Sequence, residues 1–271
     1  MSELLSHLPQ LGAAEWLLVI AGALVVGFSK SALPGAGTIA VGLFALALPP
    51  KESTAALLIL LILGDATALW MYRREPDWRT LIRLIPSVLV GLVVGALFLK
   101  YADASAVRGG IGVILLLLVA LTLWRRRRAT LRARRRDDIQ GDGNAAGEEE
   151  PTVGRIGRIG YGSLGGFTTM VANAGGPPMS MYFYAMRMPV LTFLGTSAWF
   201  FAIVNLLKLP FSASLGLFSL QYALMDVLLA PLVVLSALIG RRIAQRVPQS
   251  VFEKAILVFT VVSAAALIAG A

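Results

Sequence analysis

Runs of about twenty apolar residues dominate this chain, and that is the length a helix needs to cross the hydrocarbon core of a bilayer. The first half has such runs at 11–28, 54–72, 80–99 and 106–124; the second has them near 156–173, 192–209, 216–239 and 252–270. Two shorter runs, 38–48 and 178–186, each follow a cluster of glycine and proline. Hydrocarbon offers no water to bond the backbone, so spans of this kind fold as helices. The expected fold class is an all-α integral membrane protein, multi-pass, with the lipid bilayer as its surroundings. Only 14% of the 271 residues are charged, against about 25% in an ordinary soluble domain.

The run "RRRRATLRARRRDDIQGDGNAAGEEE" leaves the membrane pattern, basic first and then glycine-rich and acidic. It reads as a solvated linker and divides the chain into three: a first transmembrane repeat (1–124), a charged linker (125–154) and a second transmembrane repeat (155–271). Each half presents the same series: a segment, a Gly/Pro break, a short segment and three ordinary helices. Individual residues match as well. Gly27 and Phe28 correspond to Gly166 and Phe167, Gly37 to Gly176 and Pro50 to Pro189, all at an offset of 139. Asp65 falls opposite Asn205 at 140, and Pro86 and Gly95 fall opposite Pro231 and Gly240 at 145. The repeated order of elements is the stronger sign of an internal duplication.

Charge bias sets the topology. If all ten segments cross and the linker is cytoplasmic, twenty of the 24 lysines and arginines lie inside; if the short segments turn back, only fifteen do. The positive-inside rule favours ten crossings. Five per half is odd, so the two repeats are expected to be inverted, with both termini outside and the whole in the cell (inner or plasma) membrane. No basic stretch precedes the first apolar run, so no cleaved signal peptide is expected. Eleven helical residues rise only about 16 Å, half the hydrocarbon thickness, so the short segments need discontinuous helices beside them.

Several function classes fall away. There is no cysteine, and the single histidine, His7, lies near the amino terminus. Disulfides, thiol chemistry and nearly every transition-metal site are thereby excluded, and no cofactor is expected. The net charge of +9 comes from arginines in short loops beside apolar runs, a topology signal with no implication of nucleic acid. An intramembrane enzyme would need a nucleophile with its base, and "SKS" is too little for that. No nucleotide-binding glycine loop is present either.

The breaks "SKSALPGAGT" and "ANAGGPPMSM" free backbone groups that lipid cannot satisfy. Paired breaks at corresponding places of two repeats point to a transport site; the structural alternative is a pair of kinks that permit tight packing. A helix beginning after each break turns its positive end toward an anion. Candidate substrate-binding residues are therefore Ser29, Lys30, Ser31, Pro34, Gly35 and Gly37 in the first break, and Thr168, Thr169, Asn173, Gly175, Gly176 and Pro177 in the second, with Thr38 as a further donor. Intramembrane polar groups mark pathways or partners. Lys30 and Lys208 can neutralise an anion or snorkel to opposite interfaces. Asp65 is a candidate for carrying a coupling proton or for pairing with one of them, and Asn205 shares a helix face with Lys208. Asp226 is a weaker candidate. "GLVVG" at 91–95 reads as helix packing, Trp70, Trp78, Tyr101 and Trp124 as interfacial belt residues, and Gln221 and Tyr222 as interfacial.

"GFSKSALPGAG", the following "RREPDW", and "GGFTTMVANAGGPP…GTSAWFFAIVNLLKLP" resemble the TauE/SafE family of sulfite-exporter-like permeases. The resemblance implies a secondary transporter that moves sulfite, organosulfonates or related small anions, usually outward. It also implies site roles for the break residues together with Thr196, Asn205 and Lys208. An anion channel with the same site and a carboxylate transporter are the alternatives. The oligomeric state stays open, a homodimer included.

Overall fold

A computed structural model describes residues 8–32, 36–74, 76–117, 154–186 and 188–244, with isolated positions between 120 and 127. The described residues form helices and no strands. In the first half these are α1 (Ala13–Ala32), α2 (Gly37–Ala47), α3 (Pro50–Tyr72), α4 (Trp78–Tyr101) and α5 (Ala104–Leu117). The second half gives α6 (Arg155–Ala172), α7 (Gly176–Ala185), α8 (Val190–Ser214) and α9 (Leu220–Ala244). The linker interior and the expected last segment, 252–270, lie outside the described residues, as do Pro34 and Gly35.

Helices α1, α3, α4, α8 and α9 are long and apolar enough to span a bilayer. The protein is a multi-pass membrane protein. Large apolar side chains cover its outside: Val90, Val94 and Leu97 on α4 and Val227, Leu228 and Leu235 on α9 are about half exposed or more. A surface so apolar needs lipid. The polar side chains turn inward instead; Asp65, Asn205 and Lys208 are each 1% exposed. Trp70, Trp78 and Tyr101 are exposed near helix ends and Trp124 is exposed too, whereas Tyr222, expected at the interface, is buried.

Two helix pairs clamp the bundle, α1 against α9 and α4 against α6. Both depend on glycine. A Cβ on Gly27 would stand 2.0 Å from the carbonyl oxygen of Val233, and one on Gly166 would stand 2.2 Å from that of Val88. Gly27 and Gly166 are 139 apart, and Val88 and Val233 are 145 apart, the displacements already seen in the sequence. Gly95 packs on Phe167 and Met170, while Gly240 packs on Phe28 and Ser31, again at those displacements. Gly91 likewise lies against the backbone of Ser163, so "GLVVG" is a packing face for α6. Backbones this close exchange lipid contact for dense dispersion contact.

The short helices fold back beside the longer ones, α2 against α1 and α3, and α7 against α6 and α8. Helix α6 stops because Asn173 takes a left-handed conformation, φ 51°. Its amide and that of Ala174 then bond the carbonyls of Thr169 and Thr168 at 3.0 and 3.1 Å. Asn tolerates this conformation better than most residues. Three residues later α7 begins, with Pro177 and Pro178 in its first turn, where a missing amide hydrogen costs nothing. The central helices α3 and α8 pack on each other between the two clamped pairs.

Candidate functional site

One cavity gathers the two breaks. Ser29 and Lys30 at the end of α1 and Gly37 and Thr38 at the start of α2 form one side; Thr169, Asn173, Gly176 and Pro177 form the facing side. The remaining walls come from α3 and α8. On α3 the lining residues Leu61, Asp65, Ala68 and Tyr72 are spaced by four, three and four, which places them on one helix face. On α8, Ser197, Phe201 and Asn205 recur every four residues and do the same. Helices α2 and α7 both begin at the cavity, with their positive ends at its edge. The second offers few amide donors, because Pro177 and Pro178 have none.

Lys30 donates to Asp65 Oδ1 at 2.5 Å, and its ammonium stands 4.7 Å from the centre of the Phe201 ring. Gly64 makes room for this lysine: a Cβ there would come 3.0 Å from Lys30 Cγ. The second carboxylate oxygen of Asp65 accepts from Asn205 Nδ2 at 2.6 Å. A buried carboxylate needs such partners, since an unpaired one is costly. At the end of α3, the Tyr72 hydroxyl donates to the Ser31 carbonyl at 3.2 Å and joins α3 to α1.

Lys208 does not line the cavity. It is buried behind it and donates to Asn173 Oδ1, while Asn173 Nδ2 donates to the Thr54 carbonyl at 2.8 Å. Asn173 thus ties the capped end of α6 to α3 through Thr54 and to α8 through Lys208. Lys30, Lys208 and Asp65 together make a buried cluster of two basic side chains and one acidic. Neither lysine snorkels outward: Lys30 is 13% and Lys208 1% exposed.

Of the residues singled out in the sequence, Ser29, Lys30, Gly37, Thr38, Asp65, Thr169, Asn173, Gly176, Pro177 and Asn205 share the cavity. Others lie elsewhere. The Ser31 hydroxyl turns back to the carbonyls of Gly27 and Phe28, and that of Thr168 to Leu164. Gly175 packs on Thr169, where a Cβ would come within 2.9 Å. Thr196 accepts from the Asp77 amide at 2.9 Å and fastens α8 to the α3–α4 turn. Asp226 is buried in α9, away from the cavity lining. Ser197, Phe201 and Tyr72 are lining residues that the sequence does not single out; the four-residue spacing from Asn205 back through Phe201 to Ser197 is the signal it carries.

The family model described as sulfite exporter TauE/SafE matches residues 19–267. The chain belongs to this family. As a member of the TauE/SafE family it is similar to a curated relative named a probable sulfite/organosulfonate exporter TauE, from Cupriavidus necator. The two are 27% identical over 210 residues, which cover 77% of this chain and 75% of the relative. No solved structure matches this TauE/SafE chain.

Proposed function

We propose that the protein is a secondary transporter that exports small sulfur-containing anions, sulfite or organosulfonates, by alternating access. The cavity is its substrate site, and Lys30 is the cation that meets the anion. One observation carries this reading: two chain breaks from opposite halves, two helix amino-terminal ends and the Lys30 ammonium meet in one cavity. Broken helices that bring such ends together are how transporters hold anions without exposing backbone to lipid. Family membership and the relative's name support sulfite or an organosulfonate as the anion, with outward transport.

The two halves are inverted repeats in this reading. Matched contacts at offsets of 139 and 145 support it, since a duplicated unit would pack α1 on α9 as it packs α6 on α4. The linker is then cytoplasmic and both termini face outward across the cell membrane. Asp65 pairs with Lys30 and, in this reading, exchanges a coupling proton. The test is counterflow: purified protein in liposomes, preloaded with unlabelled sulfite, should accumulate labelled sulfite transiently and saturably. Flux without acceleration by trans substrate would mean a channel, and no flux would remove the assignment.

A further inference from the structure

We infer that the cavity selects monoanions that carry a hydrogen-bond donor of their own, and that Ser197 and Asn205 read that donor. The inference rests on the transport reading above and names the chemical class of its substrate. The hydroxyl of Ser197 and the amide oxygen of Asn205 are buried in residues that line the cavity, and neither has a hydrogen-bond partner among the described residues. Ser197 is 4% and Asn205 1% exposed. Unpartnered groups at this depth are uncommon and costly.

The amide orientation of Asn205 is fixed by its neighbour. Asp65 Oδ2, 2.6 Å away, belongs to a lysine-paired carboxylate that can only accept, so the Asn205 nitrogen faces it. The oxygen is the remaining end, and an amide oxygen accepts only. Whatever satisfies it must therefore bring an N–H or O–H. Ser197, eight residues earlier on the same face, can give or take. Phe201 stands between them and takes the Lys30 ammonium on its ring.

Charge sets the second limit. Lys30 is the one basic side chain among the described lining residues, and with Asp65 carrying the coupling proton one negative charge on the substrate would balance it. Two would leave an uncompensated charge in a site enclosed by lipid-facing helices. The favoured chemistry is hydrogensulfite or a hydroxysulfonate. Donor-free sulfonates and dianions such as sulfate or a disulfonate are disfavoured. Sites built to bond a substrate O–H discriminate strongly against analogues that lack it.

The test uses the full chain in liposomes and the counterflow of labelled 2-hydroxyethanesulfonate. Competitors are unlabelled 2-hydroxyethanesulfonate, ethanesulfonate and ethane-1,2-disulfonate. The hydroxylated monoanion should compete about tenfold or more better than either of the others, the ratio expected for one buried hydrogen bond. In Ser197→Ala that ratio should shrink severalfold with no fall in melting temperature, because the hydroxyl removed has no partner in the protein. Equal competition by ethanesulfonate in the wild type would overturn the inference while leaving a sulfonate transporter, as would an unchanged ratio in folded Ser197→Ala. Should that variant fail to fold, the wild-type ranking decides alone. No counterflow of any anion, sulfite included, removes the transport reading and this inference with it.

Discussion

Lys30 and Asp65 meet at 2.5 Å across the contact between α1 and α3, whereas Lys208 bonds the amide oxygen of Asn173. The pair joins the first break to a helix that also bonds the second half, since Asp65 takes its other hydrogen bond from Asn205. Losing one member strands the other. Lys30→Met and Asp65→Asn should each destabilise the protein by about 3 kcal/mol, the lower end for a buried pair because Lys30 is 13% exposed. The double variant should lose much less than the sum of the two. Its transport should stay abolished, because the cation that meets the anion is gone. Thermal unfolding in detergent and sulfite counterflow separate the two effects; normal counterflow in the double variant would exclude Lys30 as a substrate contact.

Lys208 acts through Asn173, so its loss should differ in kind from that of Lys30. Asn173→Gly keeps the left-handed cap of α6 and loses the bonds to Lys208 and Thr54, a cost of roughly 1–3 kcal/mol. Asn173→Ala loses the same bonds and must hold φ 51° with a Cβ in place, which adds roughly 1 kcal/mol. Stability should fall from wild type to glycine to alanine, and sulfite affinity should fall in both variants. Equal unfolding temperatures for the two would mean that the cap's conformation is not under load.

The clamped helix pairs make a third prediction that does not depend on substrate. Gly166→Ala places a Cβ 2.2 Å from the Val88 carbonyl, and Gly27→Ala places one 2.0 Å from that of Val233. Backbone cannot yield as a side chain tip does, so each should cost about 1–3 kcal/mol or more. Gly160, on the same helix as Gly166, has open space around it. Gly160→Ala should therefore stabilise by about 0.5–1 kcal/mol through helix propensity. Similar melting temperatures for Gly160→Ala and Gly166→Ala would refute the packing of α4 on α6.

The sequence revealed the membrane fold because spanning helices need long apolar runs, and α1, α3, α4, α8 and α9 fall on them. Both breaks were equally visible, since only glycine, proline and asparagine suit a chain that stops and restarts in lipid. The paired breaks pointed to one transport site; the walling of that cavity was not visible. It depends on α3 and α8 packing between the clamped pairs, a tertiary arrangement that no local pattern encodes. That is why Ser197, one residue past Thr196, was passed over: a helix turns 100° per residue, and one step separates the cavity wall from the tie to Asp77. Lys208 was legible as an intramembrane charge, but its partner Asn173 lies 35 positions away and only the fold brings them together.

Asp77 gives a pH test outside the membrane. It caps α4, with Oδ1 accepting from the Thr80 amide at 3.0 Å and Oδ2 from the Thr80 hydroxyl at 2.6 Å. Partial burial works to raise its pKa, but the bonds from Thr80 outweigh it and hold the carboxyl below its ordinary value of 3.8. A carboxyl lowered in the folded state adds stability at pH above its unfolded value and loses it as pH falls through the lowered one. Asp77→Ala should therefore cost about 1 kcal/mol at neutral pH, the usual worth of such a cap. Its deficit against wild type should shrink as the pH falls from 3.8 through the lowered folded value, where the wild-type carboxylate takes up its proton. Asp77→Asn, which caps without titrating, should match or exceed wild type under those acid conditions. Unfolding temperatures of the three proteins across that range decide it: a deficit for Asp77→Ala that stays constant into acid would show that the cap owes nothing to the charge.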